Sequence, residues 1–136
     1  MWIEKILSAN DLAETGSHQA GILIPKKVQM IAYFPELPNN EKNPRCVISF
    51  MDESDIEWCF TYIYYNNKLF GGTRDEYRLT GMTRYLRSCQ AEPGDAVSFG
   101  WVGAGVRAIR FRRRGGVRGA EDGRIHLSGS WVKIAT

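Results

Sequence analysis

The sequence is poor in the residues from which catalytic and metal centres are usually assembled. Its two histidines, His18 and His126, stand in neither HExxH nor HxH spacing. Its three cysteines, Cys46, Cys59 and Cys89, are an odd number with no CxxC pair, which speaks against a zinc ribbon and a disulfide framework and marks them as reduced, packed thiols. No acid is followed two positions later by lysine, so the PD-(D/E)xK arrangement, in which a carboxylate holds a cation beside the activated water, is missing. The HxK element of phospholipase-like nucleases is absent too. Ser17, His18 and Asp11 lack the GxSxG elbow that would make them a nucleophile set. No apolar run approaches the ~20 residues that cross a bilayer, and the N-terminal MWIEKILSAND carries acids where a signal peptide is apolar. These gaps predict a soluble cytoplasmic chain with no catalytic residues, no metal site and no membrane partner.

What the chain does have is 136 residues, enough for one ordinary core, and it reads as a single domain over 1–136. Its net charge of +3 hides an uneven distribution. Residues 1–60 hold nine acids and five bases, whereas residues 61–136 hold thirteen bases, eleven of them arginine, and six acids. Arginine pairs bidentately with phosphate and with guanine, so a polyanion suits the second half; a solvated basic face is the other reading.

Short alternating runs dominate the pattern. Strands are predicted at 2–7, at GILIP (21–25), at RCVISFMD (45–52), at EWCFTYIYY (57–65), at AVSFGWV (96–102), at VRAIRFRRR (106–114) and at RIHLSGSWVK (124–133). The acidic DESDIE joins two of them as a hairpin, and EPGD (92–95) is a turn. A brief helix follows Pro25 with Val28, Ile31 and Ala32 turned inward. A second helix places Met82, Tyr85 and Leu86 on one face, with Thr80 as its cap. About seven strands, two short helices and no βαβ rhythm argue for an all-β, barrel-like domain. Trp58, Phe60, Phe99 and Trp101 alternate as core residues do, and need no stacked single-stranded base to explain them.

Two polar connections interrupt this pattern. FGGTRDEYRLT, residues 70–80, gathers Arg74, Asp75, Glu76 and Arg78 behind two glycines. Arg74 or Arg78 can donate two hydrogen bonds to the major-groove acceptors of guanine, and Glu76 or Asp75 can accept from the amino group of cytosine, each good bidentate pair discriminating by roughly 1–3 kcal/mol. Tyr77 sits among them to pack along the backbone or support the loop. The bland reading is a surface loop whose charges pair with one another. SANDLAETGSHQ, residues 8–19, is unusually long; His18 and Gln19 can present donors and acceptors to bases, glutamine suiting adenine. Finally, unbroken alternation in RFRRR would set Arg110, Arg112 and Arg114 on one strand face, where they suit phosphates.

LSANDLAETGSHQAGILIP and IYYNNKLFGGTRDEYRLT resemble the N-terminal effector-binding domain of EcoRII-like type II restriction endonucleases, including UbaLAI-type relatives, and occur in that family's order. LTGMTRYLRSCQAEPGDAVSFGW is similar to the helix-and-strand segment of the plant B-three pseudobarrel. The resemblance implies a pseudobarrel that grips the major groove of double-stranded DNA with two arms and reads a CCWGG-like site (W is A or T). By matching position, Ser17, His18 and Gln19 fall in an N-arm, and Arg74, Glu76 and Arg78 in a C-arm, with Lys68, Thr73, Asp75 and Tyr77 beside them. The chain departs from the family pattern at Gly72, where lysine is expected, at Tyr77, where a basic residue is expected, and at Ser17, which replaces a glycine. The implied role is the recognition domain of a prokaryotic restriction enzyme, monomeric in isolation and not an enzyme by itself. The scissile chemistry, with its magnesium, would belong to a fused C-terminal nuclease domain, and binding itself would need no cofactor. The alternative is a stand-alone DNA-binding regulator with the same fold.

Overall fold

Burial alternates along most strands as the pattern requires. In EWCFTYIYY, Phe60 and Tyr62 are buried while Glu57 and Cys59 face solvent. The computed structural model describes residues 2–12, 20–115, 124–128 and 130–134. Nine strands run through them: β1 (Trp2–Ile6), β2 (Gly21–Ile24), β3 (Arg45–Met51), β4 (Glu57–Tyr65), β5 (Glu76–Thr80), β6 (Ala96–Val102), β7 (Val106–Arg112), β8 (Arg124–Ser128) and β9 (Trp131–Ile134). Two short helices, α1 (Val28–Ile31) and α2 (Thr83–Ser88), complete the list of regular elements together with a 3-10 turn over Asn67–Phe70.

Two of the nine strands were not expected. β5 lies inside the stretch read as a loop, because Glu76–Thr80 finds partners on both edges, β2 and β4. The last predicted strand is instead the hairpin β8–β9. All nine form one sheet in the order β2-β5-β4-β3-β7-β6-β1-β9-β8. Every pairing is antiparallel except β3 with β7, which meet in parallel at Met51 and Ala108. The sheet curls until its two ends approach, and the Trp131 indole of β9 donates to the Leu23 carbonyl of β2 at 3.1 Å. That bond spans the seam of an open barrel.

Aromatic rings fill the interior. Phe50 lies 5.3 Å from Phe60 and 5.6 Å from Phe99, whose ring is 6.0 Å from Trp131. Burying each such ring contributes about 2–3 kcal/mol. Both helices add buried side chains to this core. Met82, Tyr85 and Leu86 are buried as the spacing predicts, though Thr80 ends β5 and Met82 holds the cap position of α2. At α1 the buried residues are Met30, Tyr33 and Phe34; Val28 and Ala32 face solvent because only one turn forms before the chain bends inward. The Tyr33 hydroxyl donates to the Gly100 carbonyl at 2.9 Å. Position 100 must be glycine, since a Cβ there would come within 2.3 Å of the Trp2 ring. Trp101, expected in the core, is 41% exposed at the end of β6. The cysteines are free, but Cys59 is exposed rather than packed.

One charged cluster lies inside the barrel. The Lys5 ammonium donates to Asp11 Oδ2 at 2.7 Å, to Ser130 Oγ at 2.6 Å and to the Ile6 carbonyl at 2.8 Å. Lys5 and Asp11 are only 7% and 6% exposed. Asp11 also accepts from the Ser8 amide while Ser8 Oγ accepts from the Asp11 amide, so the SAND motif folds into a reciprocal turn. Removing one member of such a pair strands a buried charge. Asp11→Ala is therefore expected to lower the unfolding free energy by about 3 kcal/mol, read from a urea transition, and the double change Lys5→Met, Asp11→Ala to recover part of that loss.

Candidate nucleic-acid interface

The connection between β4 and β5 is built around one buried amide. Asn66 Oδ1 accepts from the Asn43 amide and its Nδ2 donates to the Glu41 carbonyl, both at 2.8 Å, which anchors the start of the arm to the preceding connection. After the 3-10 turn, Gly71 takes φ +88, a conformation L side chains rarely adopt. Gly72 then bonds back to the Asn67 carbonyl at 2.8 Å, and a Cβ on it would approach Asn67 Cβ to 2.9 Å. This is the position where lysine was expected, and the turn as folded has no room for a side chain there. The Lys68 amide donates to the Arg74 carbonyl at 2.9 Å and closes the arm. Lys68 and Thr73 are exposed on it.

Beyond the turn, the charged residues divide between two faces. Asp75 accepts from the Tyr64 hydroxyl at 2.7 Å and from the Lys26 ammonium at 2.5 Å. Tyr77 stacks on Tyr64 at 4.2 Å and on Tyr62 at 5.6 Å, and Tyr62 stacks in turn on Phe34 at 4.6 Å. On the other face, Arg74 Nε donates to Glu76 Oε1 at 2.6 Å and Arg78 Nη1 approaches Glu76 Oε2 at 3.5 Å. The Arg74 guanidinium lies 3.6 Å above the Tyr65 ring. The structure thus brings Arg74, Glu76 and Arg78 together and sets Asp75 and Tyr77 behind them.

The other connection leaves from Asp11 and returns at Gly21. The Gly21 amide donates to the Asp11 carbonyl at 3.1 Å and the Ala20 amide to Thr83 Oγ1 at 2.9 Å, so the neck is held from both sides. Only glycine fits at position 21, because a Cβ would sit 2.7 Å from the Leu79 carbonyl. Ser17, His18 and Gln19 lie outside the described residues. Since Gly21 faces Thr80 across the β2–β5 ladder and Glu76 begins β5, the two connections emerge at opposite ends of one strand pair. They are separated by four residue steps, about 13 Å. Between them Leu23 pairs with Arg78, and a cavity of about 290 Å³ opens, lined by Asn10, Asp11, Leu23, Pro25, Arg78 and Trp131.

The arginine row sits elsewhere. β7 is the middle strand of the sheet, across the barrel from β2. Arg110 stacks on Trp2 at 4.5 Å and stays exposed. Arg112 is committed to the buried Glu4, with Nη2–Oε1 at 3.1 Å. Arg114 lies past the strand end, its amide donating to Asp95 Oδ1 at 2.6 Å, and its side chain is exposed. Arg113 donates to Asp95 and to the Cys89 and Gln90 carbonyls. The alternation predicted through 114 therefore stops at Arg112, where the strand turns to meet the EPGD turn and the end of α2.

Sequence reasoning missed Lys26, Tyr64 and Tyr65. Lys26 and Lys27 follow Pro25 as an exposed pair whose position beside the arm appears only once β2 pairs with β5. For Tyr64 and Tyr65, the alternation of YIYY was the available signal: it sends one tyrosine to each face. Arg84, exposed next to the Thr83 that holds the neck, was likewise passed over. Among the described residues no group of His, Cys, Asp and Glu is placed to hold a metal ion, and no helix is long and apolar enough to cross a membrane.

Residues 1–96 match the family described as restriction endonuclease EcoRII, N-terminal. The type II restriction enzyme EcoRII of Escherichia coli is 41% identical over 81 residues, covering 56% of this chain and 19% of that enzyme. The B3 domain-containing transcription repressor VAL1 of Arabidopsis thaliana is 30% identical over 120 residues, covering 88% of this chain and 14% of the repressor. The match thus spans less than a fifth of either relative. In three dimensions, a chain of the Arabidopsis FUS3–DNA complex superposes with a TM-score of 0.63 at 21% identity, covering 82% of this chain and 95% of that one. The pseudobarrel fold is shared.

The Lys26 ammonium and then the Tyr64 hydroxyl hold the Asp75 carboxyl below the usual carboxylate range, and the same bond to Asp75, aided by burial, pushes Tyr64 up to about 12. Because its folded value is depressed, Asp75 contributes stability above a pH of about 4. That contribution is lost as pH falls through the depressed folded value. Lys26→Met is expected to move the Asp75 titration midpoint upward, as followed by carboxyl NMR shifts.

Proposed function

We propose, from the premise that this chain belongs to the family of EcoRII N-terminal domains, that it binds double-stranded DNA sequence-specifically through the major groove. The observation that carries this reading is the placement of the two connections at opposite ends of the β2–β5 pair, with Arg74 on one of them and Arg78 on β5 between them, both bridged to Glu76. Their separation of about 13 Å matches a major groove about 12 Å wide. Guanidiniums are the donors that guanine O6 and N7 accept best. The N-arm, with Ser17, His18 and Gln19, supplies the second set of contacts. Lys68 and Thr73 at one end, Arg84 at the other, and Lys27 beside the arm meet phosphates.

The target is a short G·C-rich site of the CCWGG kind, read asymmetrically by one domain with two unlike arms rather than by a two-fold dimer. The domain acts as the recognition or effector module of a type II restriction endonuclease, monomeric by itself, with a fused nuclease domain supplying magnesium-dependent cleavage. The match to a transcription repressor's B3 domain supports a second reading, a DNA-binding regulator without nuclease. Sequencing onward from Thr136 separates the two, since a PD-(D/E)xK pattern downstream favours the endonuclease.

Selection of bound duplexes from a random pool, in EDTA, is expected to return one short G·C-rich consensus; enrichment of no sequence overturns the reading. On that consensus Arg74→Ala should weaken binding by about 10–100-fold while hardly changing affinity for random duplex. Lys27→Ala and Arg84→Ala should weaken all duplexes alike, each lowering the slope of log affinity against log salt by about one.

A further inference from the structure

The face that carries Arg74 and Arg78 also explains why an acid lies between them. Glu76 has one carboxylate oxygen on Arg74 Nε at 2.6 Å and the other toward Arg78 Nη1 at 3.5 Å. Its side chain is 27% exposed, against 45% for Arg74. Tyr65 stands directly opposite Glu76 in the β4–β5 register, and its ring supports the Arg74 guanidinium from below at 3.6 Å. With Nε engaged by Glu76 and one face on Tyr65, the half-exposed guanidinium keeps its Nη1/Nη2 fork for a ligand. That fork is the edge that pairs end-on with guanine O6 and N7. Arg78 is set by Glu76 at one nitrogen, by its register opposite Ile63 and by Leu23 on its other side.

We infer that Glu76 and Tyr65 are positioning residues: they fix the orientation and spacing of the Arg74 and Arg78 guanidiniums for two guanines, and Glu76 does not itself read cytosine. The inference rests on the duplex-reading function proposed above and sharpens it. A carboxylate drawn to a guanidinium on each oxygen would have to weaken its hold on at least one arginine to turn toward a cytosine amino group. An unsupported arginine would hold many rotamers and would lose orientational selectivity before it lost charge.

The test uses the duplex selected by the wild-type chain, with each guanine replaced in turn by 7-deazaguanine, which lacks the N7 acceptor, and each cytosine by 2-pyrimidinone, which lacks the amino group. In the wild type, two guanine positions should each lose about tenfold in affinity. Tyr65→Leu should bring the penalty at one of them close to onefold while leaving the other in place, and Tyr65→Phe, which keeps the ring, should retain both. Glu76→Gln should shrink both guanine penalties together and leave every cytosine penalty unchanged. Loss of a cytosine penalty alone in Glu76→Gln, with both guanine penalties intact, overturns the inference and makes Glu76 a direct reader. Unchanged guanine penalties in Tyr65→Leu also overturn it. Thermal unfolding by circular dichroism verifies that each variant is folded. Failure of the wild type to select any duplex refutes the underlying function instead, so the two failures are distinct.

Discussion

β5 is hydrogen-bonded along both edges, to β2 on one side and to β4 on the other, and a residue held in that way has no freedom over which face its side chain takes. That constraint continues into the two residues before the strand and sorts five successive side chains. Arg74, Glu76 and Arg78 turn outward. Asp75 and Tyr77 turn toward the tyrosine stack and Lys26. A slip of one residue would bury the arginines against aromatic rings and expose Tyr77, so the candidate site depends on the register of a core strand more than on the loop that precedes it.

The surplus of arginine in the second half of the chain divides in a similar way. Part of it offsets acids that the barrel has already buried. Glu4 and Asp95 are each 1% exposed, and each meets an arginine from the end of β7. Burying a carboxylate without such a partner would cost several kcal/mol. What is left near the two arms is a smaller exposed set, with Arg110 and Arg114 exposed on the far side of the barrel. Regional charge in the sequence therefore overstates the surface that a partner would meet.

Much of the fold was legible because alternation reports burial directly. Phe60 and Tyr62, Val97 and Phe99, and Met82, Tyr85 and Leu86 all lie inside as their spacing predicts. β5 was hidden because its composition is that of a loop: three of its five residues are charged or polar, and its strand character comes from partners distant in sequence. The end of RFRRR misled for the opposite reason, since a regular pattern ran on past the point where a tight turn ends the strand. At the candidate site, the chemistry of Arg74, Glu76 and Arg78 could be read from the residues and the family pattern. Their geometry could not, because the side chains that set it, Tyr65, Tyr64 and Lys26, come from neighbouring strands and the turn after β2.

The neck formed by Asp11, Ala20 and Gly21 resembles the base of a keyhole: an amide-to-carbonyl bond joins its two sides, an ammonium pins one of them from within and a threonine hydroxyl pins the other. The scaffold is thereby pinned on either side of residues 13–19. Such a segment can be exchanged between homologues, lengthened or recomposed with little effect on the scaffold, which allows preference for a target to drift over evolution while the supporting architecture stays constant.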